Sequence, residues 1–426
     1  MLQVFFEIPT QTPWFTIVGV LVCVAIVFLL WWKSVEPGEK RSGKNLAVQL
    51  AVALVVGFFG LQFVASKLDH IPIYGFGVML FLAFILCTWL AGRRAAKLGI
   101  AKERIQDLAI WLFVGGIIGS RLTFFFVEEK VPTDALFTWT FLRRFFSIWD
   151  GGLVLYGSIV GGTAAFILAY FVFLRKYGLT FWGLTDIVAP SLALGICLGR
   201  IGCLLNGCCY GGVACPDCYG VPYPLAAAPR FDYTAQGLQT AAGFTLDDST
   251  PLAIVGVVEK GSAADVAGLR TGDLIIEAIG KDIHVRDDLD RLLRNGEWPR
   301  GQNDLTLTVV HPGDQEPTQI GPFYPKSIRL YPTQIHESIS TFLIFLVLLA
   351  YEPFKRREGS LMVLFLLLYP IHRFIDELMR NDTERYALGM TFSQFVSFGV
   401  FAGAIGLSAW LWRCQPAFKP ADPQPA

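Results

Sequence analysis

A chain of 426 residues with 54% hydrophobic and only 16% charged residues falls well below the roughly 25% charge of ordinary soluble domains. Its 35 basic and 35 acidic residues cancel, so no net field favours nucleic acid. These numbers exclude a wholly soluble globule and point to an α-helical polytopic membrane protein, with room for one small α+β insert.

Nine stretches approach the ~20 apolar residues that a bilayer core of ~30 Å requires. They lie near 14–32, 46–65, 71–91, 108–127, 153–174, 184–205, 337–351, 360–378 and 393–412. The first lacks the basic start and small-residue exit of a cleaved signal peptide, so it reads as a retained anchor. The sixth carries Asp186 and Arg200, and the seventh is short. One set of loops holds Lys33, Lys40, Arg41 and Lys44, then Arg93, Arg94, Lys97, Lys102 and Arg104, then Arg175 and Lys176, then Lys355, Arg356 and Arg357. The alternate loops hold Lys67, then Lys130, Arg143 and Arg144, then Arg380 and Arg385. The positive-inside rule puts the richer set in the cytoplasm. The N-terminus is then outside, the tail 413–426 inside, and the long polar segment 206–336 on the outer, periplasmic face of a bacterial inner membrane.

Within that segment, "IVGVVEKGSAADVAGLRTGDLIIEAIGKDIHVRDDLDRLLRNG" (254–296) has a β-branched run at Ile254–Val258 and a turn at Gly261. A short helix, Ala263–Ala267, stops at Gly268. A strand at Leu274–Ile279, a turn at Gly280–Lys281, an amphipathic helix at Asp287–Leu293 and a strand over 305–310 follow. The string "GSAADVAGLRTGDLI" resembles a PDZ domain of the bacterial type, over residues 238–322. Such domains add an extended peptide to a sheet edge beside their second helix, and the resemblance implies peptide contacts for Leu289 and Leu292. Alternatively, these leucines only pack their helix onto its own sheet.

Charged groups within spans are usually functional or paired. Four outer pieces carry unexpected polar residues: Tyr74 in "IPIYGFGVML"; Asp150 and Tyr156 in "WDGGLVLYGSIVGG"; Arg200 and Asn206 in "LGRIGCLLNGCCYGG"; and "YPTQIHESI", joined by Arg373, Glu377 and Arg380 of "HRFIDELMRND". Helical spacing puts these last three on one face. Asp186, near the inner end of its span, stands apart. Arginines gathered at the outer leaflet, with glycines allowing close approach, suit a lipid phosphate. Guanidinium grips phosphate bidentately and keeps its charge at low dielectric. The plainer readings are a snorkelling anchor for Arg200, an i,i+4 pair for Arg373 and Glu377, and interfacial belt residues for Tyr74 and Tyr156.

Together, "WDGGLVLYGSIVGG", "APSLALGICLGRIGCLLNG", "YPTQIHE" and "HRFIDELMR" resemble the prolipoprotein diacylglyceryl transferase family, over residues 71–225 and 327–412. Members move the diacylglyceryl group of phosphatidylglycerol onto the lipobox cysteine of a secreted precursor, releasing glycerol phosphate, without a cofactor. The resemblance implies phosphate contacts for Arg200 and Arg373, and supporting roles for Tyr74, Asn206, Gly211 and Glu377. It places Gly151, Gly152, Gly207 and Gln334 along the substrates. Tyr156 stands where most members have His, Cys203 where they have Asn, and Cys208 where they have an acidic residue. An imidazole could take the thiol proton at neutral pH; a phenol is a poor base there. Either another residue is the base, or the field of the arginines lowers the pKa of the substrate thiol. The N-terminal spans within residues 1–70 and the insert are additions to the family plan.

Five of nine cysteines, Cys203, Cys208, Cys209, Cys215 and Cys218, crowd the loop after Arg200. Three readings stay open: a disulfide from Cys208 or Cys209 to Cys215 or Cys218 that staples the loop, a structural zinc on Cys208, Cys209, Cys215 and Cys218, or a redox pair in Cys215-Pro216-Asp217-Cys218. The expected function is the lipid transfer with the insert holding polypeptide nearby. The competing classes are a membrane thiol oxidoreductase using Cys215 and Cys218, and a non-catalytic PDZ-bearing scaffold.

Overall fold

The structure, a computed structural model, describes residues 3–10, 12–34, 50, 54–55, 58–59, 61–62, 65–66, 70–130, 138–147, 152, 154–215, 217–294 and 297–414. The chain forms two compact units. One comprises Met1–Val78, Leu205–Gly207 and Tyr223–Ser327; the other comprises Met79–Leu204, Cys208–Pro222 and Ile328–Ala426.

Six described helices are long and apolar enough to cross a membrane: Gly75–Ala96, Lys102–Glu128, Leu155–Tyr177, Phe181–Asn206, Thr333–Phe354 and Phe392–Cys414. A further helix, Ser360–Met379, has the length but carries Arg373, Asp376 and Glu377 in its last two turns. The span expected to be short begins a turn earlier than its apolar run, at Thr333, because polar Thr333, Gln334 and Glu337 are buried and belong to it. Tyr74 closes a strand, His70–Tyr74, that pairs with Val4–Pro9, and the helix starts only after it. Residues 14–32 lie in the helix Pro13–Ser34. The expected span 46–65 falls largely outside the described residues.

In the helical unit, small residues set the closest crossing. Gly115 and Gly119 of one helix meet Gly157 and Gly161 of the next. A methyl on Gly119 would sit 2.7 Å from the Gly161 Cα, and one on Gly157 would be 2.5 Å from the Gly119 carbonyl. Such small-residue seams let backbones approach without a hydrophobic driving force. Larger apolar side chains fill the remaining gaps, with Leu108, Leu174, Leu184 and Ile187 in one cluster and Ile344, Leu348, Leu361 and Phe365 in another.

Asp186 accounts for its isolation here. Its carboxylate accepts from the backbone N–H of Gly359 and Leu361 (2.9 Å each) and Met362 (3.2 Å), and faces the Lys355 ammonium at 3.5 Å. It therefore caps the helix Ser360–Met379, where exposed N–H groups and the helix dipole both favour an anion. Arg94 donates to the Asp186 carbonyl and pairs with Glu352.

In the other unit, residues 223–327 fold as an α+β insert. Lys281–Asp282, Leu274–Ala278, Leu305–Val310 and Thr318–Phe323 form a four-stranded antiparallel sheet in that order, and Phe244–Leu246 pairs with Val255–Val258. The alternating "LTLTVV" strand buries Leu305, Leu307 and Val309 completely. The helix Arg286–Arg294 buries Leu289 and Leu292, 0% and 1% exposed, in this core. That corrects the expected groove contacts for both: an apolar stripe on a nine-residue helix is used up in packing it to its own sheet. The insert also begins earlier than residue 238. The helix Ala228–Ala235 belongs to it, with Arg230 buried under Trp298 and donating to the carbonyls of Leu225 and Leu293.

Candidate functional site

In the helical unit, Arg200 lies in the last two turns of Phe181–Asn206, and its Nε forms an ion pair with Glu337 Oε2 at 2.9 Å. Glu337 is 1% exposed and reaches a second guanidinium, with Arg373 Nη1 3.4 Å from the same oxygen. Arg373 is heavily engaged. Nη1 also faces Asp376 at 3.3 Å, while Nη2 lies 2.7 Å from Glu377 and 3.3 Å from the Ser393 hydroxyl. Arg380 grips Asp382 through Nε and Nη2 at 2.9 and 2.8 Å. It does not continue the helical face shared by Arg373 and Glu377: the helix ends at Met379, and Arg380 adopts an extended backbone.

Guanidinium and carboxylate groups can remain buried together only where they match, since an unpaired one costs several kcal/mol. Arg200, Arg373 and Arg380 here face Glu337, Asp376 and Glu377. The three arginines are not equivalent. Among the described residues, the two terminal nitrogens of Arg200 carry no hydrogen bond, and its side chain is 10% exposed. Beside them, Glu337 Oε1 accepts no hydrogen bond. The centre therefore offers a spare two-pronged donor, whereas Glu337 Oε1, like Asp376 Oδ1 and both Glu377 oxygens, is a buried carboxylate atom of the same cluster. Such a donor fits an anionic oxygen group.

Tyr156 joins this centre through one intermediate. Its hydroxyl lies 2.7 Å from Ser393 Oγ, which accepts from Arg373, and its ring stands edge-on to Phe392 at 5.0 Å. The loop after Arg200 is tied down from the opposite side. Thr333 Oγ1 donates to the Cys209 carbonyl at 2.7 Å, and buried Gln334 donates to that of Cys208. The Gly211 N–H donates to the Tyr331 carbonyl at 3.0 Å. A methyl on Gly211 would lie 2.8 Å from that carbonyl and 3.0 Å from the carbonyl of Met379, so this position admits only glycine. Hydrogen bonds from Cys203 and Cys208, with Arg200 and Arg380 nearby, hold the Cys209 thiol far below the ordinary thiol range.

Other expected site residues are placed differently. Tyr74, Asn206 and Gly207 belong to the unit that contains the insert. There, the Tyr74 ring lies under the Arg300 guanidinium at 5.2 Å and the Asn206 carbonyl accepts from Gln3. Gly151 lies outside the described residues. Gly152 has φ of 74°, and a methyl there would meet Arg121 Nη1 at 2.8 Å. Arg121, which sequence reasoning missed, is 2% exposed and donates to the carbonyls of Arg144, Ser147 and Gly152. Glu337, Asp376 and Ser393 were missed too. A charge in a span was the available signal for the two acids, whereas nothing local marks Ser393.

The cysteines require a correction. Cys215 is bridged to Cys218, their Cα atoms 5.0 Å apart. The bond lies inside the Cys-x-x-Cys turn, so it does not staple Cys208 or Cys209 across the loop. It also withdraws two of the four expected zinc ligands.

The fold and this centre define a class: a polytopic helical membrane protein with a buried arginine–carboxylate centre in its spans. The chain belongs to the prolipoprotein diacylglyceryl transferase family, whose model matches residues 63–410. It is 28% identical over 455 residues to the phosphatidylglycerol–prolipoprotein diacylglyceryl transferase of Rhodopirellula baltica, covering 97% of this chain and 90% of that one. The enzyme of the same name from Clostridium tetani is 25% identical over 344 residues, covering 81% of this chain and 94% of its own. That from Chromohalobacter salexigens reaches 34% over 145 residues, covering 34% of this chain and 50% of its own.

Proposed function

We propose that this protein transfers the diacylglyceryl group of phosphatidylglycerol to the cysteine thiol of prolipoproteins. The observation that carries this reading is the unoccupied fork of Arg200. Arg200 holds the phosphodiester through its two terminal nitrogens, and Glu337 holds Arg200 in place. Arg373, with its terminal nitrogens already engaged, orients Glu337 and, through Ser393, Tyr156. The acceptor sulfur attacks the glyceryl carbon that bears the phosphate. The carbon–oxygen bond breaks, glycerol phosphate leaves, and the thiol proton passes to solvent. Concentrated positive charge at the leaving phosphate is where such a site spends its stabilisation.

The distribution of basic loops supports an inner-membrane protein with its N-terminus and insert outside and its C-terminus in the cytoplasm. The four-stranded sheet of the insert and its helices Ala263–Val266 and Arg286–Arg294 support the PDZ-like reading, with a polypeptide taken at a sheet edge rather than on Leu289 and Leu292. The deciding experiment incubates membranes with labelled phosphatidylglycerol and a lipobox peptide. Thioether-linked lipid on the peptide is expected, and its absence at confirmed expression removes the reading. The Cys215–Cys218 bridge favours a second reading, a membrane thiol oxidoreductase. Substituting both cysteines by serine abolishes that activity and spares lipid transfer.

A further inference from the structure

The family resemblance leaves the thiol without a base, since Tyr156 is a phenol committed to Ser393. A different cluster lies next to Arg200. The sulfur atoms of Cys203, Cys208 and Cys209 all lie within 4.8 Å of one another, and none of the three is disulfide-bonded. Cys203 projects from the last turn of the Phe181–Asn206 helix. Gly207 then takes φ of 81° and Cys209 φ of 61°, so the chain turns back and brings two further thiols onto the first. A non-glycine residue in the left-handed region is uncommon and must be held there by its surroundings. Thr333 and Gln334, which grip the carbonyls of Cys209 and Cys208, do the holding.

We infer that Cys203, Cys208 and Cys209 bind one zinc ion whose fourth position is open to the acceptor cysteine. Tetrahedral zinc with thiolates at ~2.3 Å sets its sulfurs about 3.8 Å apart, a spacing within the 4.8 Å limit of this cluster. All three cysteines are only partly buried, so a fourth sulfur has access. Three thiolates on a divalent ion leave one net negative charge, and Arg200 and Arg380 lie close enough to compensate it. Structural zinc sites close with four protein ligands, whereas three with an opening is the arrangement of reactive ones. On zinc the acceptor thiol gives its proton to solvent and is held as thiolate at neutral pH. Its sulfur forms the bond to the glyceryl carbon, the carbon–oxygen bond to phosphate breaks, and the thioether, a weak ligand, leaves the metal. This last role rests on the transferase reading, but the metal site itself does not.

The full-length protein, purified in detergent without chelator, is assayed for metal. About one zinc per chain is expected, lost on Cys203→Ser, Cys208→Ser or Cys209→Ser and kept in the Cys215→Ser/Cys218→Ser variant. Cobalt(II) exchanged into the unsubstituted protein should show thiolate charge-transfer absorption. Its d–d bands should shift on adding a lipobox peptide but not the peptide with serine in place of cysteine. Metal content unchanged by the three substitutions, or an unsubstituted protein without metal whose three thiols all react with a thiol reagent, overturns the site. A cobalt spectrum indifferent to the peptide overturns the open position. Metal binding with no lipid transfer in the labelled-lipid assay would instead count against the transferase reading alone.

Discussion

The helix Phe181–Asn206 carries two buried charges, Asp186 and Arg200, and they are treated in opposite ways. Asp186 meets three backbone N–H groups and an ammonium, so nothing of its hydrogen-bonding capacity points outward. Arg200 gives one nitrogen to Glu337 and keeps two. Burial alone does not separate them, since both are under 9% exposed. What separates them is the remainder. A buried charge whose partners exhaust it holds structure, and one with donors left over is prepared for something that arrives later.

The sharpest way to break this comparison is to remove each charge in turn. Arg200→Ala should lower transfer by ~100-fold or more while the protein stays folded in the membrane. Arg200→Lys should recover little, because a point charge does not reproduce the fork. Near-normal turnover in the alanine variant would reduce Arg200 to a helix anchor. Asp186→Asn should do the reverse: ~2 kcal/mol of stability lost with its charge-assisted cap, read as a lower unfolding temperature in detergent, and unaltered turnover per folded molecule. A catalytic defect at full stability in that variant would erase the distinction.

Gly211→Ala tests the loop that flanks Arg200. The methyl would press on the carbonyls of Tyr331 and Met379, so a lower unfolding temperature is expected together with ~10-fold slower transfer per folded molecule, short of the ~100-fold that an ångström of misplacement can cost. A smaller effect, a few-fold, should follow Tyr156→Phe, which removes the one hydrogen bond shared between Tyr156 and Ser393 and keeps the ring on Phe392.

The smallest effect should come from the insert. Val221–Pro222 and Arg329–Leu330 pair directly as antiparallel strands, so the ends to which the insert attaches are already neighbours in the helical unit. Replacing residues 223–327 with a short Gly/Ser linker should leave transfer to a small lipobox peptide within about two-fold. Transfer to a full-length precursor should weaken instead, through loss of effective concentration. Equal losses for both acceptors would make the insert a structural element.

Much of the architecture was legible because apolar runs and period-two alternation are local signals. The strand over 305–310 and the helices of the insert stand close to where their patterns put them. Local pattern failed where tertiary contacts decided the outcome. The stripe of Leu289 and Leu292 reads the same whether it faces a groove or a core, and only the surrounding sheet chooses. In the centre, the short strings drew attention to Arg200 and Arg373. That Glu337 links them, and that Arg373 is spent on carboxylates while Arg200 is not, depends on three helices distant in sequence. The cysteines misled for a related reason: spacing permits several pairings, and the one formed joins Cys215 to Cys218 within a single turn.

The glycine seam between Lys102–Thr123 and Leu155–Ala169 has a bearing on traffic. Where a single methyl would strike the opposite backbone, no acyl chain can pass. On the proposed reading, a phospholipid moving sideways from the bilayer toward Arg200 uses another gap between spans, and this pair forms a closed wall that the diacylglyceryl tails skirt on the way in and out.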